Sequence, residues 1–349
     1  MNGVRLWHSV KTYSVVAVVA LALFLAISAV MNWRAKRDSL PEILYEFPTP
    51  DKSGCSSLAV NPSYSVLAVG CYNGRVRLYD LKTHVFRERY LGGMGAVYAM
   101  TFLSDRELVT GGSDRRVKIW NIESGEETTT FAGHEGRVRA VAIVPETDLL
   151  LSGGDDGLVH IWNLQTKQPE EPLKGPVFGI ESLTVSPDGK RIACGTGDRE
   201  IIVWDFENRK VFWVFQGYTE KKWAPGVGLP VFLESSDRMA LVRRETGCIE
   251  VFDFIENRVI ERSEAISPFV KRLQANHDYT EIITTDEDGT LAVWSRKNGK
   301  ILNSWEAHNA ISPALALLNP GGTIIASGAG GTNLYDHEIS GEIKIWRRK

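Results

Sequence analysis

Seven aromatic residues, each closing a short apolar run, recur along this chain: Tyr79, Trp120, Trp162, Trp204, Phe252, Trp294 and Trp346, at spacings of 41, 42, 42, 48, 42 and 52 residues. Two further marks keep the same register. Pro62, Pro145 and Pro187 each stand 17 residues before their aromatic, and Pro320 stands 26 before Trp346. Six residues before each aromatic lie Asn73, Asp114, Asp156, Asp198, Thr246, Asp288 and Ser340. An internal repeat of this length constrains the fold more than any single motif. Each copy is one supersecondary unit that can bury its apolar surface only against its neighbours.

The third copy, from Gly133 to Asn163, is the clearest. VRAVAIVP, DLLLSGG and GLVHIWNL alternate apolar and polar residues at period two and read as strands a, b and c, with a weaker strand d in QPEEPL. Four short antiparallel strands in every ~40–45 residues is the signature of a propeller blade. The expected fold class is therefore all-β, a seven-bladed β-propeller over residues 42–349. The last copy stops just after its strand c, and EILYEFP at Glu42–Pro48 alternates like a strand. That N-terminal strand is expected to complete the seventh blade and close the ring, which removes two open sheet edges.

These residues resemble the WD-repeat (tryptophan–aspartate repeat) family, and the resemblance covers roughly residues 42–349. It implies a hydrogen-bonded structural tetrad, complete only once, as His134, Ser152, Asp156 and Trp162. The second copy has Thr110, Asp114 and Trp120 without a histidine. The fourth has Asp198 and Trp204 with Cys194 at the hydroxyl position. The sixth has Thr284, Asp288 and Trp294, and the seventh has His308, Ser327 and Trp346 with Ser340 in place of the aspartate. The first and fifth keep only Asn73 with Tyr79-Asp80, and Phe252-Asp253. A buried indole N–H needs an acceptor, and a buried imidazole and carboxylate need each other, so the tetrad is expected to stiffen a blade rather than to catalyse.

Composition narrows the partners. Residues 1–37 carry five Lys/Arg (Arg5, Lys11, Arg34, Lys36, Arg37) and no Asp or Glu, which leaves 35 basic and 43 acidic residues, a balance of −8, on the rest. Such a body is a poor match for nucleic acid. Cys55, Cys71, Cys194 and Cys248 show no metal-ligand spacing and are expected to be buried thiols, although Cys55 and Cys71 fall on neighbouring strands where a disulfide is the alternative. No Ser/His/Asp arrangement at a nucleophile elbow and no P-loop is present. The glycine pairs Gly111-Gly112, Gly153-Gly154 and Gly330-Gly331 read as tight turns, and His160 as an exposed or inter-blade residue. No metal, cofactor or homo-oligomer signal is expected.

The N-terminus carries a second signal. After a short polar tail (1–14), no charge occurs from Thr12 to Trp33. As a helix this run spans ~33 Å, enough for a ~30 Å hydrocarbon core, and residues 15–33 are expected to be a transmembrane helix or signal-anchor followed by a linker (34–41). A cleaved export signal is the alternative. The run is longer than a usual signal core, and Met31-Asn32-Trp33 is a poor continuation for cleavage. The Lys/Arg distribution leans slightly towards a single-pass protein with a cytoplasmic propeller.

Two copies are long. The extra residues fall in Gly217–Gly228, between strands d and a, and in Gly331–Ile339, between strands b and c. Both connections lie on the same end of a propeller, the top face. Arg115, Arg116, Arg199, Arg243 and Arg244 lie in turns at that end, and Lys221, Lys222, Trp223 and Tyr335 lie in the long loops. Together they are candidates for gripping an acidic protein or peptide, with arginine as bidentate donor and the aromatics as anchors. Turn arginines that are merely solvated are the alternative. The function expected from the resemblance is a non-catalytic scaffold or adaptor at a membrane. Two other readings are kept: an exported envelope propeller that assists assembly, and an enzyme or small-molecule sensor using the central channel.

Overall fold

The structure, a computed structural model, describes residues 40–49, 53–92, 95–174, 178–198, 200–216, 230–243, 246–265, 267, 269–309, 314–330 and 341–349. The chain divides into two units, residues 43–347 and residues 1–42 with 348–349. The first unit consists of seven four-stranded antiparallel sheets, the seven-bladed all-β propeller the repeat predicts. Blade three is made of strands a (Val138–Ile143), b (Leu149–Gly154), c (Leu158–Asn163) and d (Gln168–Lys174). The predicted helix at 15–33 and both long insertions lie outside the described residues. Among the described residues no helix is long and apolar enough to cross a membrane.

Ring closure follows from how the seventh sheet is assembled. Its strands Ala314–Leu317, Ile324–Ala329 and Glu342–Arg347 come from the end of the chain, and its outermost strand is Glu42–Pro48. Beyond that strand the Thr49 N–H donates to the Gly341 carbonyl at 2.8 Å. Phe47 stacks on Tyr79 of blade one at 4.6 Å and meets Phe86 edge-on at 5.0 Å. The N-terminal strand therefore hydrogen-bonds into the last blade and packs on the first.

The core lies between blades. Seven apolar clusters each draw residues from two consecutive blades. Strand b of blade three shows why its sequence is apolar throughout. Leu150 packs towards blade two, with Val109, Ile119 and Phe131, whereas Leu151 packs towards blade four, with Ile180, Ile192 and Ile202. Alternate side chains of one strand thus enter different interfaces, and both faces are dry, so LLLSGG reads as a continuous apolar run. The outer strand d has one edge in water and is correspondingly polar, as QPEEPLK shows.

Gly111-Gly112 and Gly153-Gly154 end strand b and serve this packing, rather than the tight turns expected of them. Gly153 and Gly154 are the last two residues of strand b and have no positive φ. A Cβ on Gly153 would lie 2.5 Å from Ile180 Cγ2 of blade four, and one on Gly154 would lie 2.4 Å from the Arg137 carbonyl oxygen. A side chain at 153 could be met by rotating Ile180, but at 154 it meets backbone. All four cysteines are buried thiols, and none is in a disulfide. Cys55 and Cys71 sit directly opposite in the register of blade one. Burial raises the Cys55 thiol far above its ordinary value, and pushes Cys194 up to about 12, so both stay protonated.

Gly154→Ala is expected to lower stability by about 1–3 kcal/mol, because the clash cannot be relieved by a rotamer change. Gly197→Ala, where the nearest atoms stand 3.8 and 3.9 Å away, should stay within about 0.5 kcal/mol of the parent. Equilibrium denaturant unfolding of the two variants measures the difference.

Candidate functional site

Antiparallel pairing brings the d–a connections and the b–c turns to one end of the ring. His134 lies in the connection before blade three, Asp156 in its b–c turn, Ser152 on strand b and Trp162 on strand c. The four make one directed chain of hydrogen bonds. Trp162 Nε1–H donates to Ser152 Oγ at 2.7 Å, the Ser152 hydroxyl donates to His134 Nε2 at 2.7 Å, and His134 Nδ1–H donates to Asp156 Oδ2 at 2.7 Å. The indole can only donate and the carboxylate can only accept, so Nδ1 carries a proton towards Asp156, and with a neutral imidazole Nε2 accepts from the serine. The Glu135 N–H adds a donor to Asp156 at 3.0 Å and the Leu158 N–H another at 3.2 Å. Burial alone would raise the Asp156 pKa. The bond from His134, the nearby His160 ring nitrogen and the Leu158 N–H overcome that and hold the carboxyl far below its usual range.

His160 is buried, not exposed. Its ring stacks on Trp162 at 5.2 Å and lies 4.1 Å from the His134 ring. Its Nε2 stands 3.6 Å from Asp156 Oδ2, too far for a hydrogen bond, and has no partner among the described residues. His134, Asp156 and His160 bring three donor atoms within 4.8 Å of one another, the raw material of a metal site. A tetrahedral ion with bonds near 2.0 Å holds its ligand atoms about 3.3 Å apart. The 2.7 Å His134–Asp156 bond would have to break to admit it, so the triad serves better as a lock than as a metal cage.

The other blades solve the same problem with different groups. In blade seven Trp346 Nε1 donates to Ser327 Oγ at 2.9 Å and Ser327 lies 2.7 Å from His308 Nε2, but His308 Nδ1 meets Glu342 Oε1 at 2.6 Å. The carboxylate is Glu342, on strand c, and not the residue at position 340. The His308 hydrogen bond, against a smaller opposing effect of burial and with help from Lys344 at 2.6 Å, brings the Glu342 carboxyl down to about 2. In blade two Trp120 Nε1 reaches Thr110 Oγ1 at 2.9 Å and Asp114 is held by Lys118 at 2.9 Å, around a cavity of about 20 Å³. In blade six the expected pair does not form: Thr284 Oγ1 faces the Ala292 carbonyl at 3.5 Å, and Trp294 Nε1 has no partner among the described residues. Blade five buries Glu250 instead, 2.8 Å from Arg243 and 2.7 Å from Arg262.

That last contact changes the status of one candidate binding residue. Arg243 neutralises Glu250 and lies over the Phe215 ring at 5.7 Å, so its charge is spent inside the blade. Arg115 and Arg116 are exposed, on the b–c turn and first strand-c residue of blade two, with Arg115 in the left-handed region at φ 64°. Blades two and five are not neighbours in the ring, so Arg243 does not join the other two. Arg199, Lys221, Lys222, Trp223, Arg244 and Tyr335 lie outside the described residues. Reasoning from sequence missed Glu342 and Glu250. The one available signal was a carboxylate placed within strand c, among the apolar residues that run up to the repeat's aromatic.

Ser152→Ala leaves both the indole N–H and a buried imidazole nitrogen without a partner. It should cost about 2–3 kcal/mol, against less than about 1 kcal/mol for Thr284→Ala. Chemical denaturation of the pair checks this. Glu342 ionises more easily folded than unfolded, so its stabilisation is complete above its ordinary value of 4.5 and is lost as pH falls through about 2. Glu342→Gln should therefore be less stable by about 1–2 kcal/mol near neutrality, discounted because the carboxylate is partly exposed, with the deficit closing on acidification. Thermal midpoints of parent and variant across pH measure it.

Comparison with known proteins agrees with the architecture. The family described as nucleolar protein 10-like, N-terminal domain, a β-propeller family, matches residues 5–335. Guanine nucleotide-binding protein subunit beta-1 of Drosophila melanogaster is 36% identical over 92 residues, which is 25% of this chain. The matched stretch spans 27% of the length of that relative. With seven WD-like blades in the structure and a match running over most of its length, the chain belongs to the nucleolar protein 10-like N-terminal domain family.

Proposed function

We propose that this chain is a non-catalytic protein-interaction propeller that takes an acidic protein or peptide on the end of the ring carrying the d–a connections and b–c turns. The observation that carries the reading is how the titratable groups at that end are divided. His134, Asp156, His308, Glu342, Arg243 and Glu250 are all committed to bonds within their own blades. The exposed Arg115 and Arg116 remain at the surface, offering planar donors to carboxylates. Arg199, Arg244, Lys221 and Lys222 would extend the patch, with Trp223 and Tyr335 as apolar anchors. Binding residues on loops of a rigid scaffold fit this arrangement. The Drosophila relative is by name a subunit, one chain of an assembly, which supports a role exercised through other proteins.

The uncharged run from Thr12 to Trp33 supports a tether that holds the propeller at a membrane, on its cytoplasmic side. The family description, nucleolar protein 10-like, favours a nucleolar location instead. Alkaline washing of a membrane fraction from cells making the full chain separates the two. A chain that stays in the pellet is anchored, and one that is released and concentrates in nucleoli is not.

Arg115→Glu, Arg116→Glu and Arg244→Glu combined should abolish co-purification of the proteins captured by the parent chain and leave its thermal midpoint within about 1 °C, as expected for surface sites. An unchanged set of captured proteins would sink the top-face reading.

A further inference from the structure

The axis of the ring holds a cavity of about 230 Å³, lined by the innermost strands of all seven blades. Those strands share a register. In the blades whose inner strands begin Cys55, Val97, Val138, Ile180 and Val270, a bulge follows the first residue, and the residue after the bulge pairs with the penultimate residue of strand b. At this post-bulge position blades one to four place Ser57, Ala99, Ala140 and Ser182, each opposite a glycine, and blade seven places Ala314 opposite Gly328. Blade six places Arg272, opposite Thr285. Among the described residues, one of these positions therefore exchanges a small residue for a long cation beside the axis.

Arg272 is poorly compensated. Its guanidinium makes one hydrogen bond, Nη1 to the Lys271 carbonyl at 3.2 Å, and no ion pair among the described residues. Burial works against its charge, and of the groups around it that favour the charged form only the Glu181 carboxylate is itself ionised near neutrality. Arg272 is half-buried on the cavity wall, and a partly desolvated charge without a partner is costly, so such arginines are ordinarily found paired. The rest of the cavity wall is arranged around it. Tyr98 stands on the bulge of blade two, with the Arg139 guanidinium over its ring at 4.8 Å and Tyr72 edge-on at 6.4 Å. Arg139 is already neutralised by Asp155 at 2.8 Å. Glu181 lines the cavity from blade four.

We propose that this axial cavity binds a single carboxylate from an acidic side chain of a protein partner, with Arg272 as its counter-ion and Tyr98 as the wall beside it. The guanidinium fork matches a carboxylate in two parallel hydrogen bonds. The volume admits one acidic side chain, and Glu181 sets the charge limit, since a second negative charge on the ligand would face that carboxylate. The cavity therefore favours a monoanion over a phosphate dianion. The inference rests on the protein-interaction reading and adds a specific anchor on the axis, separate from Arg115 and Arg116.

The test uses the full-length chain and a fluorescein-labelled oligoglutamate peptide, read by anisotropy at low salt. The parent should bind saturably. Arg272→Met should weaken binding about tenfold or more, and Arg272→Lys by a few-fold because the fork is lost. Glu181→Gln should tighten it a few-fold. Acetate, a monocarboxylate, should compete, which would show that the site reads the carboxylate itself, and inorganic phosphate should not. Arg272→Met should fold about as well as the parent, since it removes an unpaired, half-buried cation, and Arg272→Lys keeps the charge if it does not. Peptide binding that is unchanged in both Arg272 variants, or absent from the parent, overturns the axial site. So does a loss of stability without tighter binding in Glu181→Gln, which would make Glu181 the internal partner of Arg272. If the Arg115 and Arg116 charge reversals abolish partner capture while both Arg272 variants retain it, the top-face reading stands and the axial site falls.

Discussion

Everything in this propeller depends on the contact between one blade and the next. No blade has a core of its own. Each of the seven apolar clusters is shared by two consecutive sheets, so a blade is stable only with both neighbours in place. This explains features that otherwise look unrelated. The inner three strands are apolar on both faces. Glycine ends strand b where the next blade comes within van der Waals range, at Gly153 against Ile180 and at Gly111 against Val138. The aromatic that marks each repeat packs towards the preceding blade, as Trp162 does by stacking on Phe131 at 5.1 Å.

Polar groups in such a structure must be settled inside thin sheets, and the blades differ in how they do it. Blade three runs donors in one line from indole to carboxylate. Blade seven builds the same line but draws its carboxylate from strand c. Blade two substitutes a lysine ion pair, and blade five places one glutamate between two arginines. The common requirement is that a buried donor finds an acceptor, and the residue that supplies it is free to vary. Trp294, whose N–H finds none among the described residues, marks where that requirement is relaxed.

The architecture was legible because it is written locally. Spacings of 41 to 52 residues, period-two strands and an unpaired terminal strand all follow from short-range pattern. The four residues of the blade-three chain also lie within one repeat, close to their fixed spacings. What escaped the reading depends on distances that sequence does not carry. Glu342 reaches His308 only because of how the chain re-enters strand c, whereas counting back from Trp346 pointed to Ser340. Arg243 looked like a turn cation because its partner Glu250 sits seven residues on, across the b–c turn. Gly111-Gly112 and Gly153-Gly154 looked like turns because the clash they avoid belongs to another strand or another blade. Arg272 is conspicuous only after the inner strands are aligned by their bulges, when it stands alone among serines and alanines.

Closure by the strand Glu42–Pro48 fixes the order in which the molecule can be finished. That strand belongs to the blade whose other three strands follow those of every other blade in the chain. It leaves the ribosome before any blade exists and must wait, unpaired, while about 300 residues follow it. The longest-range pairing in the chain is therefore also the last to form, where loop-closure cost is greatest. Until it forms, the first and last blades each present an unshared face to water, and the nascent ring is at its most vulnerable to aggregation just before it is complete.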